Sequence, residues 1–164
     1  SYRECVSANE ALGGGALLEL SHELDYAQWL LGDLKLHHAV LRSSEELKLK
    51  VEDIADITAS TQNNGLVNIH LDFLQKRAYR SCSFVGSKGR IEWDLILNQL
   101  TFKTSSEVLE LYKEPEWDKN QMYISMIEDF VRMINGKEHT CISLNEAKRS
   151  LELIEEIKLK AIRL

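Results

Sequence analysis

The chain has 164 residues, a formal net charge of −6, and 44% hydrophobic against 28% charged residues. This composition is typical of a globular domain with a sizeable core and excludes an intrinsically disordered chain. The acidic charge, with lysines and arginines scattered among the acids, argues against a nucleic-acid partner. No apolar run reaches the roughly 18–20 residues of a membrane span and no signal peptide opens the chain, so we expect a cytoplasmic protein with no membrane partner.

The cysteines are few and widely spaced. Cys5, Cys82 and Cys141 form no CxxC pair, which favours reduced thiols in a cytosolic protein over a disulfide framework or a zinc site. The sequence opens SYRECV without a methionine. We therefore expect a piece of a longer protein, either a cloned fragment or a processed chain.

The first predicted element is an amphipathic helix over GGALLELSHELDYAQWLLG, residues 14–32. A glycine turn at Gly13–Gly15 precedes it, and Gly32 closes it. Apolar residues recur at helical spacing and form one core-facing stripe: Leu17, Leu20, Leu24, Ala27 and Leu31.

Residues from about Leu34 to Tyr112 are predicted to form strands. Short runs rich in branched and aromatic residues alternate with turn signals: LKLHHAVL, VEDIADITAST, GLVNIHLDF, YRSCSFVG, RIEWDLI and QLTFK. In GLVNIHLDF, strict alternation predicts a core face and a semi-polar face, the latter holding Asn68, His70 and Asp72. We expect Ser81 and Ser83 on that same polar sheet face, which is either solvated or in contact with a second copy of the chain.

Two helices are predicted after Pro115. NQMYISMIEDFVRMING carries an apolar stripe and ends at Gly136, and SLNEAKRSLELIEEIKLKAIRL begins with Ser143 and Glu146 in capping-box spacing. The expected inward residues are Tyr123, Met126, Ile127, Phe130 and Ile134 on the first helix, then Leu144, Ala147, Leu151, Ile154, Ile157 and Ala161 on the second. Together the elements predict an α+β fold: an open, mostly antiparallel β-sheet with helices packed on one face.

One polar cluster on the first helix is a candidate for chemistry. At about 100° per residue, Glu19, His22 and Tyr26 fall within roughly 60° of one another, and Asp25 lies one turn from His22. A histidine beside carboxylates can transfer protons near neutral pH. Polar residues at the margin of a buried helix are also common, so the cluster is either catalytic or a solvated helix face.

Signals for cofactors and metals are weak. The Gly13–Gly15 turn follows no strand and is not GxGxxG, so it predicts no dinucleotide site, and Gly86–Gly89 is typical of a hairpin turn. We expect His37 and His38 to point to opposite faces of their strand, and no other pair of ligands accompanies Glu19, His22 and Asp25. The sequence therefore predicts no metal and no cofactor bound by this chain.

The stretch GGGALLELSHELDYAQWLLGD resembles the signature of the glucose–fructose oxidoreductase, inositol dehydrogenase and rhizopine-catabolism family, in which a GGG turn leads into a helix with a histidine and, three residues later, an aspartate. The similarity continues through VEDIADITAS, NNGLVNIHLDF, VGSKGRIEWD and MYISMIEDFVRMINGKEHTCISLNEAKRSLELIEEI, nearly the whole chain. Family members join an N-terminal Rossmann domain, which binds NAD(H) or NADP(H), to a C-terminal α+β domain with the substrate pocket and the oligomer-forming sheet. The resemblance implies that residues 1–164 are the C-terminal domain alone, without the Rossmann domain or the family's catalytic lysine.

The resemblance also assigns roles to individual residues. His22 matches the family histidine that acts as acid/base on the substrate hydroxyl or carbonyl, and Asp25 matches the aspartate that orients it or contacts substrate. Glu19 is a substrate-binding candidate although many members carry an acid one position earlier, where this chain has Leu18. Asp72 and Arg77, at the end of the LDFLQKR strand, are further candidates for substrate binding.

The resulting functional hypothesis is the substrate domain of an NAD(P)-dependent oxidoreductase acting on a hydroxyl or carbonyl of a sugar, cyclitol or nucleotide-linked sugar. The expected partners are that small molecule and a second copy of the chain, bound through the open sheet face. NAD(P) is expected mainly on the missing domain, so the fragment alone is expected to be inactive. The alternative is a non-catalytic dimerisation or ligand-binding module derived from this domain.

Overall fold

The computed structural model describes residues 6–164, so Cys5 lies outside the described part. Helices and mostly antiparallel strands confirm the predicted α+β class. The strands form two four-stranded sheets, and the chain divides into two compact units. The first unit comprises the residues up to Leu74 together with Ile142–Leu164, and the second comprises Gln75–Cys141.

The first unit combines a sheet with three helices. Its strand order is β3-β2-β1-β8, antiparallel except for the short parallel pairing of β8 with β1. The strands are β1 (Lys35–Arg42), β2 (Ile54–Ser60), β3 (Leu66–Asp72) and β8 (Ile162–Arg163). The helices are α1 (Ala16–Glu19), α2 (Ser21–Leu31) and α4 (Leu144–Lys160), and α4 contacts both α2 and β1.

The core of this unit lies between the helices and one face of the sheet. The most deeply buried apolar side chains come from both layers: Leu17, Leu24, Leu41, Ile154 and Ile157. Alternate residues of β2 and β3, including Ala55, Ile57 and Leu71, point into this core. Leu20 and Leu31 pack against its margin, so the predicted stripe of the first helix is confirmed.

The predicted single helix over residues 14–32 is wrong in one respect, because the structure breaks it at Leu20 (φ −102°, ψ 22°). The Leu20 N–H is shared between the carbonyl oxygens of Ala16 and Leu18, which tightens the end of α1. Glu19 therefore ends α1, whereas His22 lies in the first turn of α2. The angular relation expected between these two side chains assumed one continuous helix, which the structure does not contain.

The second unit consists of the antiparallel sheet β4-β5-β6-β7 and helix α3. Its elements are β4 (Ser81–Gly86), β5 (Gly89–Asp94), β6 (Gln99–Lys103), β7 (Val108–Lys113) and α3 (Asn120–Ile134). Gly86 pairs with Gly89, which confirms the hairpin turn. The α3 helix and its left-handed Gly136 end are confirmed, but the expected core stripe of α3 is wrong, since all five of its residues are between 51% and 66% exposed.

The predicted inward face of α4 is confirmed only in part, at Ile154, Ile157 and the core-packed Ala161. The Ser143–Glu146 capping box is confirmed, but Leu144 and Leu151 are exposed. The buried face runs through Ser150, Leu153, Ile154 and Ile157. Apolar periodicity located this face only in part, because one of its members is a serine whose hydroxyl donates to Asp25 on α2.

Two expectations about sheet faces are wrong. Ser81 and Ser83 lie on β4, in the other sheet from Asn68 and His70, and so cannot share a sheet face with them. A β-bulge between Leu36 and His38 inserts an extra residue in β1. As a result both His37 and His38 are exposed, and His37 Nε2 lies 2.7 Å from Ser60 Oγ on the polar face.

The glycine turn before α1 is a close-packed structural junction. Gly15 has φ +116° and ψ 151°, a region almost reserved for glycine. A Cβ on Gly15 would lie 2.3 Å from Glu52 Oε1, and a Cβ on Gly14 would lie within 2.7 Å of the backbone at Val6, Ser7 and Asn9. The turn therefore requires glycine for both conformation and space.

Gly15→Ala should destabilise the protein more than Gly32→Ala. Gly32 (φ +81°, ψ −171°) has the same backbone requirement but nothing within 4 Å of its absent Cβ, so it reports the conformational cost alone, roughly 1–3 kcal/mol. Because Gly15→Ala adds the collision with Glu52, we expect a free energy of unfolding at least about 2 kcal/mol lower than for Gly32→Ala. Urea denaturation of both variants measures this difference, and equal losses would contradict it.

Candidate active site

His22 lies at the start of α2, on the side away from the core. Leu24 and Ala27 are buried beneath the same helix and fix its inner face. The His22 side chain is 50% exposed, and its Nε2 lies 3.2 Å from Glu23 Oε1. This arrangement presents an imidazole to solvent with a carboxylate oxygen within hydrogen-bonding distance.

Asp25 contacts the neighbouring helix. Its Oδ1 accepts a hydrogen bond of 2.8 Å from Ser150 Oγ on α4, and Ser150 Oγ accepts one of 3.2 Å from Gln28 Nε2. Ser150 is buried, so this polar bridge ties α2 to α4 at the edge of the core. Asp25 thus shares the helix of His22 while one of its oxygens is engaged in packing.

The remaining candidates lie on other elements than α2. Glu19 is exposed at the end of α1. Asp72 ends β3 with a side chain that is only 7% exposed; its Oδ1 accepts from the Leu74 N–H at 2.7 Å and its Oδ2 lies 3.1 Å from His70 Nε2. Arg77 is exposed in the segment between β3 and β4 and belongs to the second unit.

Sequence reasoning missed two buried acids. Glu52 Oε1 accepts a hydrogen bond of 3.3 Å from the Leu17 N–H, and the Glu52 carbonyl accepts one of 2.8 Å from the Ala16 N–H. Asp53 is fully buried and accepts from the backbone N–H and the hydroxyl of Ser44. Two consecutive acids opening the otherwise apolar VEDIADITAS run were the available signal.

The residues around the glycine turn do not fit a nicotinamide dinucleotide. A pyrophosphate needs free backbone N–H groups at a helix start, whereas Glu52 already accepts from those of Ala16 and Leu17 and places a carboxylate there. Within residues 6–164, no three His, Cys, Asp or Glu side chains cluster so as to hold a metal ion. No helix in the same range has the length and apolar composition needed to cross a bilayer.

Two open clefts lie in the first unit. An open cleft of about 510 Å³ lies between the start of β1 and the β2–β3 turn, where Lys35, His37 and Ser60 line it. A second, of about 470 Å³, is lined by Asn9 and Lys48 among others. Neither of these two clefts is lined by His22 or by the other predicted site residues.

The profile described as "Oxidoreductase family, C-terminal alpha/beta domain" matches residues 6–161. The chain therefore belongs to this family, as the resemblance to glucose–fructose oxidoreductase, inositol dehydrogenase and rhizopine-catabolism proteins had indicated. No curated protein sequence matches the chain.

Solved structures share its fold. The 3-ketoreductase KijD10 from Actinomadura kijaniata, in complex with NADP and TDP-benzene, matches with a TM-score of 0.79 and 18% identity, over 100% of this chain and 51% of that one. The UDP-N-acetylglucosamine 3-dehydrogenase GnnA from Acidithiobacillus ferrooxidans matches with a TM-score of 0.76 and 15% identity, over 92% and 48% of the two chains. The chain thus spans about half the length of these enzymes.

His70 forms the clearest titratable cluster on the polar face of the first sheet. Its Nδ1 lies 2.7 Å from Asp56 Oδ1, on the paired strand β2, and its Nε2 lies 3.1 Å from Asp72 Oδ2. The hydrogen bond with Asp56 and the charges of both carboxylates raise the pKa of His70 above 6.5, with partial desolvation opposing them. The protonated imidazolium can donate to both acids at once.

Stability should therefore fall as the pH rises through the raised pKa of His70. A raised pKa in the folded state contributes stability that is complete below 6.5, the unfolded value, and is lost above the folded value. In urea denaturation at pH 5.5 and 8.5, His70→Gln should reduce this pH dependence. His38→Gln, an exposed histidine on the same face, serves as control, and an identical pH dependence in both variants would contradict the assignment.

Proposed function

We propose that the chain is the C-terminal substrate and self-association domain, over residues 1–164, of a longer NAD(P)-dependent oxidoreductase. The proposed substrate is a hydroxyl or carbonyl group of a sugar, cyclitol or nucleotide-linked sugar. The family match supports the oxidoreductase class. The similar structures of a 3-ketoreductase and a UDP-N-acetylglucosamine 3-dehydrogenase support a sugar-like substrate.

The observation that carries this proposal is the exposed position of the His22 side chain at the start of α2. The helix is anchored by buried Leu24 and Ala27, so the exposed imidazole has a defined position rather than lying on a mobile loop. In the proposed role His22 accepts a proton from a substrate hydroxyl, or returns one to a carbonyl oxygen. Glu23 Oε1 lies 3.2 Å from His22 Nε2 and can accept a hydrogen bond from it.

Asp25 is proposed to orient His22 through the structure of α2. Its hydrogen bond to Ser150 fixes the register of α2 against α4 one turn beyond the histidine. Glu19, Asp72 and Arg77 stay predictions as substrate contacts. The hydride is carried by NAD(P). Because the glycine turn of this chain does not fit a dinucleotide, we assign NAD(P) binding to another domain of the full-length protein.

Replacing His22 with Ala in the full-length enzyme should lower kcat by about 10²–10⁴-fold, because a positioned general acid/base contributes that much. The affinity for NAD or NADP should change little. Turnover is measured with UDP-N-acetylglucosamine, glucose and myo-inositol, and cofactor affinity by fluorescence titration. His38→Ala, an exposed histidine on the sheet, is the matched control. Unchanged turnover of every accepted substrate in His22→Ala would contradict the role.

The alternative is a non-catalytic dimerisation or ligand-binding module. The Glu52 carboxylate at the start of α1 leaves this turn unsuited to a dinucleotide, which fits such a module as well as an enzyme whose NAD(P) is bound by another domain. The sequence upstream of Ser1 in the parent gene distinguishes the two functions. A strand–GxGxxG–helix segment with a lysine before a proline supports the enzyme, and its absence supports the module.

We also propose that the polar face of the first sheet mediates self-association. The helices cover the opposite face, and this face presents short cross-strand polar pairs. Thr58 Oγ1 donates to Asn68 Oδ1 at 3.0 Å, and Asp56 contacts His70. A flat two-fold contact of one such face with its copy would be isologous, the commonest geometry of homo-oligomers.

Asn68→Lys should convert the multimer to monomer, because it would place two like charges across the two-fold contact. Ser83→Lys tests the sheet of the second unit separately and should leave the assembly unchanged if only the first sheet is used. Sedimentation velocity of the wild type and both variants measures the oligomeric state. A wild type that remains monomeric at high micromolar concentration would show that the face is only solvated.

A further inference from the structure

We propose that Glu52 is a positioning residue for His22: its buried carboxylate holds the first turn of α1 and thereby determines where α2 begins. This inference rests on the proposed function of His22. Glu52 is only 9% exposed and has no part in the chemistry proposed above. Keeping a carboxylate out of water is costly unless its partners are well placed.

Glu52 binds the start of α1 through two of its oxygens. Its side-chain Oε1 accepts from the Leu17 N–H and its carbonyl oxygen accepts from the Ala16 N–H, at 3.3 and 2.8 Å. These N–H groups lie in the first turn of a helix, where no intrahelical acceptor exists for them. One residue preceding β2 thus supplies acceptors for two consecutive backbone donors of α1.

Gly15 makes this contact possible. Its absent Cβ would lie 2.3 Å from Glu52 Oε1, so the carboxylate occupies space that only a glycine leaves. The Gly15 N–H donates in turn to the Ser7 carbonyl oxygen at 3.0 Å, which ties the turn to the preceding segment. The carboxylate and the turn are therefore complementary in shape as well as in hydrogen bonding.

The placement of His22 depends on this junction. The helix breaks at Leu20, and no side chain caps the start of α2 there. The Glu23 N–H instead donates to the Leu20 carbonyl oxygen, so the first turn of α2 is built directly on the end of α1. A displacement of α1 is consequently transmitted to His22, which lies five residues after Leu17.

The main test is a double-mutant cycle in the full-length enzyme, using the substrate that gives the highest turnover in the His22 assay. Glu52→Ala should lower kcat about 10- to 100-fold, as expected when a reacting group is misplaced, with KM changed less than about threefold. Glu52→Gln keeps the acceptor oxygen and the volume, so it should retain kcat within about threefold. In the His22→Ala background, Glu52→Ala should cost less than about twofold more, because it acts through the histidine.

Leu153→Ala is the control for a purely structural effect, since Leu153 is a buried apolar residue of α4 in the core of the same unit. Both variants are assayed well below their unfolding temperatures. If Leu153→Ala with a similar loss of Tm lowers kcat equally, or if the effects of Glu52→Ala and His22→Ala multiply, the proposal is overturned.

A second measurement does not depend on turnover and separates this inference from the proposed function. Hydrogen exchange of the full-length protein should show about tenfold faster exchange over residues 16–23 in Glu52→Ala and near wild-type exchange in Glu52→Gln. If His22→Ala leaves kcat unchanged, the role of His22 fails and exchange alone decides whether Glu52 holds the junction. Wild-type exchange over residues 16–23 in Glu52→Ala would overturn the proposal.

Discussion

The burial of one helical layer against one face of a sheet is the constraint on which the rest of the first unit depends. Leu24 on α2, Leu41 on β1 and Ile154 on α4 are almost completely removed from water. Burying a side chain of this size contributes roughly 1.5–3 kcal/mol each, so the three together exceed any polar contact in the unit. Because this burial fixes the inner face of α2, it also fixes which residues of α2 point outward, His22 among them.

The polar side chains in this core each have hydrogen-bond partners. Ser150 accepts from Gln28 and donates to Asp25, and Asp53 receives both donors of Ser44. Among the described residues that are not exposed, no buried side-chain nitrogen or oxygen lacks a partner. Apolar burial is non-directional. The Ser150 hydrogen bonds are directional, so they help to fix the register of α2 against α4.

The second unit is organised differently. Its sheet is regular and fully antiparallel, yet the strongly apolar face of α3 and much of β7 are exposed. The buried apolar residues of the described chain all belong to the first unit. The second sheet therefore combines regular backbone pairing with half-buried side chains on β5 and β6, whereas the first unit also has a fully buried apolar core.

Local sequence determined most of the secondary-structure elements. The capping box at Ser143, the left-handed Gly136 and the alternation through Val67 and Ile69 were readable because each depends on residues a few positions apart. The family resemblance was readable because its motifs keep their order along the chain. The class of fold and the helix that bears His22 followed from these signals.

Only the tertiary structure decided the features that depend on distant residues. The break at Leu20 and the glycine turn before it are fixed by Glu52, more than thirty positions away, and the inward face of α4 is fixed by a serine that α2 satisfies. The bulge at His37 and the division into two sheets likewise depend on strand pairing rather than on composition. Sequence periodicity reports which residues prefer burial, but the partners that satisfy a buried carboxylate or hydroxyl exist only once the chain has folded.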